Sequence, residues 1–325
     1  MSLSMNISRS YQRSHHHKNL ISLVLAGCLM TACKTTSTQH LPAKSITIDQ
    51  VERIYHLFVP RHSPGTPMPL LVAFHGGGGA GEAFPQQAQF EALAEEEGFM
   101  IAFPQGDLAP GNEGEWQLNT RPNERHDIKF IEMLIKEISE RHALDAKRIY
   151  ATGYSLGSMF IYEVACQLSD RFAAVASHAG TMPKSPADCN PQRHLPIMHL
   201  HGADDSLIAY GKRWDWKAWD EVGTMRDVPS LIEYWRVLYQ CQTTTHTESA
   251  SSKHSVYTDC KRGGRVEHHR IHNVGHEWPR RVRGVSTHRV IWNFVSDFTN
   301  DPPPLSTNPI RPMRSSSEPV RSNPD

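Results

Sequence analysis

The sequence predicts a mostly parallel, doubly wound α/β sheet with helices on both faces. Three observations carry this expectation. Short apolar runs at 69–74, 99–104, 149–152, 172–177 and 195–201 have the continuous hydrophobicity of strands buried on both faces. Stretches between them repeat their apolar residues at helical spacing. Several runs stop abruptly at glycines, and open α/β sheets gather their functional groups at such carboxyl ends. Strands alternating with helices in this order argue for parallel pairing.

Composition bounds the rest. The chain has 325 residues, 38% hydrophobic and 21% charged, with 34 basic against 34 acidic side chains. That length suits one large α/β domain or two small ones. Zero net charge without a basic stripe argues against nucleic acid as a partner. The 20 histidines are scattered with no metal-ligand spacing such as His-Glu-x-x-His, so no metal is expected.

Residues 1–33 read as a targeting segment. Arg9, Arg13 and Lys18 precede an apolar run over 20–30 that is too short to span a bilayer and has signal-peptide polarity. Cys28 follows Leu25-Ala26-Gly27 and Cys33 follows Met30-Thr31-Ala32, both resembling a bacterial lipoprotein cleavage box. Cys33 is the lipidation candidate, and plain secretion is the alternative. Export to the periplasm or outer membrane, or beyond, is expected, with membrane contact only through a lipid anchor. Residues 34–44 form a tether, residues 45–298 the folded domain, and residues 299–325, dense in Pro, Ser, Asn and Arg, a disordered tail.

Within the domain, 45–49 and 53–59 alternate enough for an antiparallel start. The run 69–74 ends in His75-Gly76-Gly77-Gly78-Gly79, a loop suited to presenting backbone N–H groups to an anion. It is not a phosphate loop, since no Gly-Lys-Ser/Thr follows. After the strand 99–104, a polar loop over 105–124 carries Trp116. Apolar residues at Ile128, Phe130, Ile131, Leu134, Ile135 and Ile138 make 127–141 a helix.

Gly153-Tyr154-Ser155-Leu156-Gly157 then matches Gly-x-Ser-x-Gly, a sharp strand-to-helix turn that exposes a serine hydroxyl, with a helix following over 158–168. Chance alone supplies this pattern in about one chain in ten of this length, so its neighbours must decide. His201-Gly202-Ala203-Asp204-Asp205 puts an acid at the next strand end. Asp205 is taken as the orienting carboxylate and Asp204 as its rival. After a strand over 266–271, Asn273-Val-Gly-His276-Glu-Trp278-Pro279 makes a tight loop that offers His276 as a base. His268, His269 and His272 read as ordinary strand histidines, and 287–298 as the closing helix. The residues fall in the order nucleophile, acid, base, with the N–H groups of Leu156 and Gly77 as the expected oxyanion donors.

Four cysteines follow the targeting segment. Sequence order suggests Cys166 with Cys189 and Cys241 with Cys260, although three pairings are possible and four buried thiols are the alternative.

The motifs at 71–79, 148–157, 201–205 and 275–279 resemble those of the secreted polyhydroxybutyrate depolymerase and feruloyl esterase-like branch of the α/β-hydrolases, and the likeness runs through most of residues 45–298. That resemblance implies an α/β-hydrolase fold, Asp205 as the acid, and disulfides among the four cysteines. It implies a serine esterase working through an acyl-enzyme, without metal or organic cofactor. The expected substrates are polyhydroxyalkanoate-type, feruloyl or acetyl-polysaccharide, or other small esters. The segment 212–226, with Trp214, Trp216 and Trp219, is longer and more aromatic than the family pattern. Trp116, Trp214 and Trp278 are the candidates for a substrate rim, with packing of a surface helix as the other reading of the tryptophans in 212–226. A serine peptidase of the same fold and a non-catalytic binding lipoprotein are the alternative functions.

Overall fold

The apolar runs assemble into the middle of a ten-stranded sheet. The computed structural model describes residues 40–61, 65–107, 114–121, 125–215 and 222–301. The targeting segment with Cys28 and Cys33, tether residues 34–39, Trp216, Trp219 and residues 302–325 lie outside the described residues.

In chain order the elements are β1 (Ala43–Ile48), β2 (Val51–Phe58), β3 (Met68–Phe74), α1 (Phe84–Ala88), α2 (Glu91–Glu97), β4 (Met100–Pro104), α3 (His126–Arg141), β5 (Leu144–Tyr154), α4 (Leu156–Gln167), β6 (Ala174–His178) and β7 (Ile197–Gly202). There follow β8 (Trp214–Asp215), β9 (Thr224–Met225), α5 (Val228–Leu238), β10 (Thr243–Glu248), β11 (Ser252–Thr258), β12 (Val266–Ile271), β13 (Arg281–Val282), β14 (Val285–Ser286) and α6 (Thr287–Val295). The large sheet runs β1-β2-β4-β3-β5-β6-β7-β12-β11-β10. From β4 to β12 all neighbours are parallel. Antiparallel strands close both sides.

Burial explains the division. Every residue of β3, β4, β6 and β7 is buried, as strands covered on both faces must be. Side chains alternate between two cores. One, with Val72, Phe74, Ala151, Val175 and Ile197, receives α3, α4 and α5; the other, with Leu71, Ala73, Ile101, Met198 and Leu200, receives α2 and α6. At the far edge all of β10 is exposed and polar, which suits an edge strand that must not recruit another chain.

Two expected boundaries move. Strand β1 begins at Ala43, inside the segment read as tether. The chain also stays tied beyond 298: Asn300 N–H donates to Lys147 O at 2.8 Å, and Lys147 pairs with Asp301 at 2.6 Å. The disulfides are Cys166–Cys189 and Cys241–Cys260, closing separations of 23 and 19 residues. In the chain-entropy model each contributes roughly 3 kcal/mol. Among the described residues no helix is long and apolar enough to cross a membrane.

Candidate active site

The turn between β5 and α4 sets the geometry. Ser155 has φ 53° and ψ −117°, a conformation that side chains other than glycine rarely adopt. Holding it costs on the order of 1–3 kcal/mol, which close packing on either side sustains. A Cβ at Gly153 would stand 2.3 Å from Gly157 O, and one at Gly157 2.4 Å from His75 O. Ser155 N–H donates to His178 O at 2.9 Å, pinning the turn to the end of β6.

The loops after β7 and β12 meet this turn. His276 Nε2 lies 2.8 Å from Ser155 Oγ, and His276 Nδ1 lies 2.8 Å from Asp205 Oδ2. Asp205 Oδ1 accepts the N–H groups of Leu207 at 2.9 Å and Ile208 at 2.7 Å. Asp204, the rival acid, is exposed, while Asp205 is buried. Burial pushes the Asp205 carboxyl up, but hydrogen bonds from His201, His276 and Ile208 outweigh it and hold the group well below the usual carboxylate range. The ring of His276 is 15% exposed, open enough to exchange protons with a bound molecule. Its loop is held by Tyr154, whose hydroxyl donates to His276 O at 3.0 Å.

The glycine loop lies against the same turn. A Cβ on Gly76 would come within 3.2 Å of Ser155 Cβ, and one on Gly77 within 3.3 Å of Leu156 Cδ2. Leu156 opens α4, where the first backbone donors have no partner within the helix. Gly78 takes φ +65°, and Gly79 N–H donates back to Gly76 O at 3.0 Å. Beneath, His75 Nδ1–H donates to Gly76 O at 2.8 Å and His75 Nε2 accepts Gly106 N–H at 2.9 Å. Burial brings the His75 imidazole down to about 4, so it stays neutral in that role.

Of the three tryptophans expected at a substrate rim, Trp116 is corrected. It is fully buried, donates its indole N–H to His75 O at 2.9 Å, and stacks on Phe160 at 5.1 Å. It supports the glycine loop from below because the polar segment around it folds inward, with Gln117 N–H donating to Asp127 at 2.7 Å. Trp214 is half-buried in β8 against the larger core. Trp278, two residues past His276, packs against His178 at 5.0 Å and Tyr154 at 6.1 Å, and lines a polar cleft with Gln86, Gln89 and Arg280.

Sequence reasoning missed the layer under the acid. His199 and His201 read only as part of an apolar strand, yet both are fully buried with polar partners. The signal was their i, i+2 spacing, which puts two imidazoles on one face of β7. One other cluster among the described residues has a cation's donor set: His254, Glu267 and His269. The two rings are parallel, 8° apart at 4.0 Å, so one ion cannot lie in both ring planes as imidazole lone pairs require. Arg265 also holds Glu267 Oε1 at 2.5 Å. The group is a stacked pair with a partnered carboxylate.

Residues 53–189 match the family described as esterase PHB depolymerase. A bifunctional acetylxylan esterase/xylanase from Neocallimastix patriciarum is 25% identical over 259 residues, 77% of this chain and 34% of that protein. Feruloyl esterase B from Piromyces equi is 26% identical over 234 residues, 71% of this chain and 42% of that protein. The chain thus spans less than half the length of either relative. An acetyl xylan esterase from Aspergillus awamori of known structure shares the fold, with a TM-score of 0.56 at 14% identity, covering 78% of this chain and 99% of that one. The feruloyl esterase module from Clostridium thermocellum does so at 0.54 and 14%, covering 79% and 87%. The chain thus has the fold of these esterases, a mostly parallel sheet between helices, and over residues 53–189 it resembles the family described as esterase PHB depolymerase.

Proposed function

We propose that the chain is a serine carboxylic ester hydrolase acting on acetyl or feruloyl esters of xylan-type polysaccharides. The observation that carries this reading is the unbroken line from Ser155 Oγ through His276 to Asp205, two bonds of 2.8 Å starting at the strained turn. His276 takes the serine proton as Oγ attacks the ester carbonyl, and Asp205 holds the imidazole and stabilises its cation. The N–H groups of Leu156 and Gly77 receive the oxyanion, preorganised by the anchored glycine loop. His276 returns the proton to the departing alcohol, and water repeats the sequence in reverse to free the acid. The xylan-type substrate is favoured by the named relatives, and the cleft of amides and Arg280 beside Trp278 suits a polyhydroxylated chain.

The test is a matched panel of p-nitrophenyl acetate, methyl ferulate, acetylated xylan, polyhydroxybutyrate and a peptide anilide, with wild type beside Ser155→Ala. The expected outcome is turnover of the acetyl or feruloyl members, with kcat lowered on the order of 10⁶ in Ser155→Ala. Hydrolysis by the purified variant at the wild-type rate would remove the mechanism. Turnover of polyhydroxybutyrate or the anilide alone would overturn the substrate. Export belongs with this reading, since both disulfides suit an oxidising compartment. Cys33 is assigned as the lipid-bearing residue; the mass of the mature N-terminal peptide checks it, and an unmodified N-terminus sinks it.

A further inference from the structure

Asp205 carries a second imidazole. His201 Nε2 stands 3.3 Å from Asp205 Oδ2 and 2.8 Å from Ile208 O. Both are acceptors, so Nε2 bears a hydrogen. His201 Nδ1 lies 3.1 Å from His199 Nε2. His199 Nδ1 lies 2.7 Å from the Tyr162 hydroxyl and 3.1 Å from Ser177 Oγ. Burial holds the His199 imidazole neutral and the Tyr162 hydroxyl protonated. Every donor then meets an acceptor in one arrangement. Tyr162 O–H donates to His199, His199 Nε2–H to His201, and His201 Nε2–H to Ile208 O, with Asp205 Oδ2 3.3 Å from the same nitrogen.

Strand geometry builds the chain. His199 and His201 share the face of β7 that meets α4, which supplies Tyr162, while β6 supplies Ser177. His268 on β12 donates Nδ1–H to His199 O at 3.0 Å and accepts the Tyr210 hydroxyl at 3.0 Å. Elsewhere this face is filled by Val72, Phe74, Ala151, Val175 and Ile197. A polar layer in such a core carries desolvation costs that aliphatic side chains avoid, and this one ends on the carboxylate that faces His276.

We propose that His201 is a positioning residue for Asp205: its Nε2–H, oriented from Tyr162 through His199, fixes Ile208 O while its positive end faces Oδ2 at 3.3 Å, and Ile208 N–H in turn holds Oδ1, so that the carboxylate keeps the direction that His276 Nδ1 uses. The inference rests on the hydrolytic reading of Ser155, His276 and Asp205. The groups facing His201 are His199 on its own strand, Asp205 and Tyr210 from the turn that follows, His178 at the end of β6 and His268 on β12, with His276 on the other side of Asp205 Oδ2. Burial brings His178 and His268 down to about 3, leaving both neutral across an ordinary assay range.

The experiment measures p-nitrophenyl acetate hydrolysis against pH for wild type, Ser155→Ala, His201→Leu and His201→Gln, with melting temperatures for each. Gln places an amide N–H near the position of Nε2; Leu has no donor. Removing the outer partner that orients a metal-ligating group costs about 10- to 100-fold, and a partner that orients this carboxylate is expected to act on the same scale. That loss is expected in kcat of His201→Leu, with KM near wild type. With one donor gone, Oδ2 attracts the imidazolium more strongly, so the acid limb of kcat/KM moves to higher pH. His201→Gln should restore both kcat and the limb. A folded His201→Leu with wild-type kcat and an unmoved limb overturns the proposal, and so does a change confined to its melting temperature. Should His201→Leu fail to fold, Tyr162→Phe removes only the far hydroxyl and should move the limb in the same direction; an unmoved limb there is equally fatal. Ser155→Ala separates the two ideas: ester turnover that survives it sinks the hydrolytic reading, whereas loss in Ser155→Ala alone sinks only the role of His201.

Discussion

Gly202 shows how much one missing side chain does here. A Cβ at this position would stand 2.3 Å from Val274 O and 2.4 Å from Gly275 O, against the loop that carries His276. The same loop is stitched to the acid turn by Ala203 N–H on Ile271 O at 2.7 Å and Asp204 N–H on Val274 O at 3.0 Å. Backbone cannot yield as a flexible side chain does, so Gly202→Ala must displace one loop from the other. Overpacking of this kind costs about 1–3 kcal/mol, and a misplacement near 1 Å lowers turnover by up to about 100-fold. The expected outcome is a folded variant whose kcat falls roughly 10- to 100-fold and whose labelling by a fluorophosphonate slows in step. Unchanged labelling would mean that the two loops are not registered through this contact. The sequence shows Gly202 beside the acid, but nothing in it reveals that residues 274 and 275 occupy the space a side chain would need.

Elements differ in how legible they are. The strands β3, β4, β6 and β7 and the helices α3, α4 and α6 follow from apolar runs and helical spacing, because tertiary packing agrees with local preference there. The hairpin of β10 and β11 was missed, since Thr243–Glu248 is exposed throughout and has no apolar alternation to read. Helix α5 had a signal that went unread: Asp227 accepts Ser230 N–H at 2.8 Å and Pro229 follows in the first turn, an ordinary helix start. The sequence reads the segment around Trp116 as a polar loop, and here a buried anchor overrules composition. Arg53 from β2 reaches Asp127 at the start of α3 at 2.6 Å, both almost fully buried, and Asp127 also receives Gln117 N–H. This pairing draws the segment inward and Trp116 with it.

For the whole molecule, buried histidines set the response to acid. Burial lowers His75 to about 4, His178 and His268 to about 3, and His269 to about 2, against an ordinary value of 6.5. The unfolded chain binds these protons first, so stability falls as pH drops below 6.5. Glu163 works the other way. Burial raises it from 4.5 to about 7, so its contribution is greatest when protonated and is lost as pH rises through that window. The imidazoles that burial lowers, His199 among them, outnumber the carboxyls that burial raises, so unfolding takes up protons on balance near pH 5.5 and stability falls as the pH drops. Denaturant midpoints measured from pH 7 to 4.5 should fall steeply, and more steeply in Glu163→Gln. A flat profile would show that the imidazoles accept protons in place.

Local information already contains most of this protein: the strand and helix succession, the Gly-x-Ser-x-Gly turn, the glycine loop, the carboxylate and imidazole at strand ends, and their order along the chain. These are legible because turn chemistry and hydrophobic period act over a few residues. The choice of Asp205 over Asp204, the inward turn of Trp116 and the imidazoles behind the acid belong to the assembled sheet. His276 meets Asp205 across 71 residues and Ser155 across 121. Contacts at that separation exist only once parallel strands bring their carboxyl ends together, and no local pattern encodes which polar atoms then face one another.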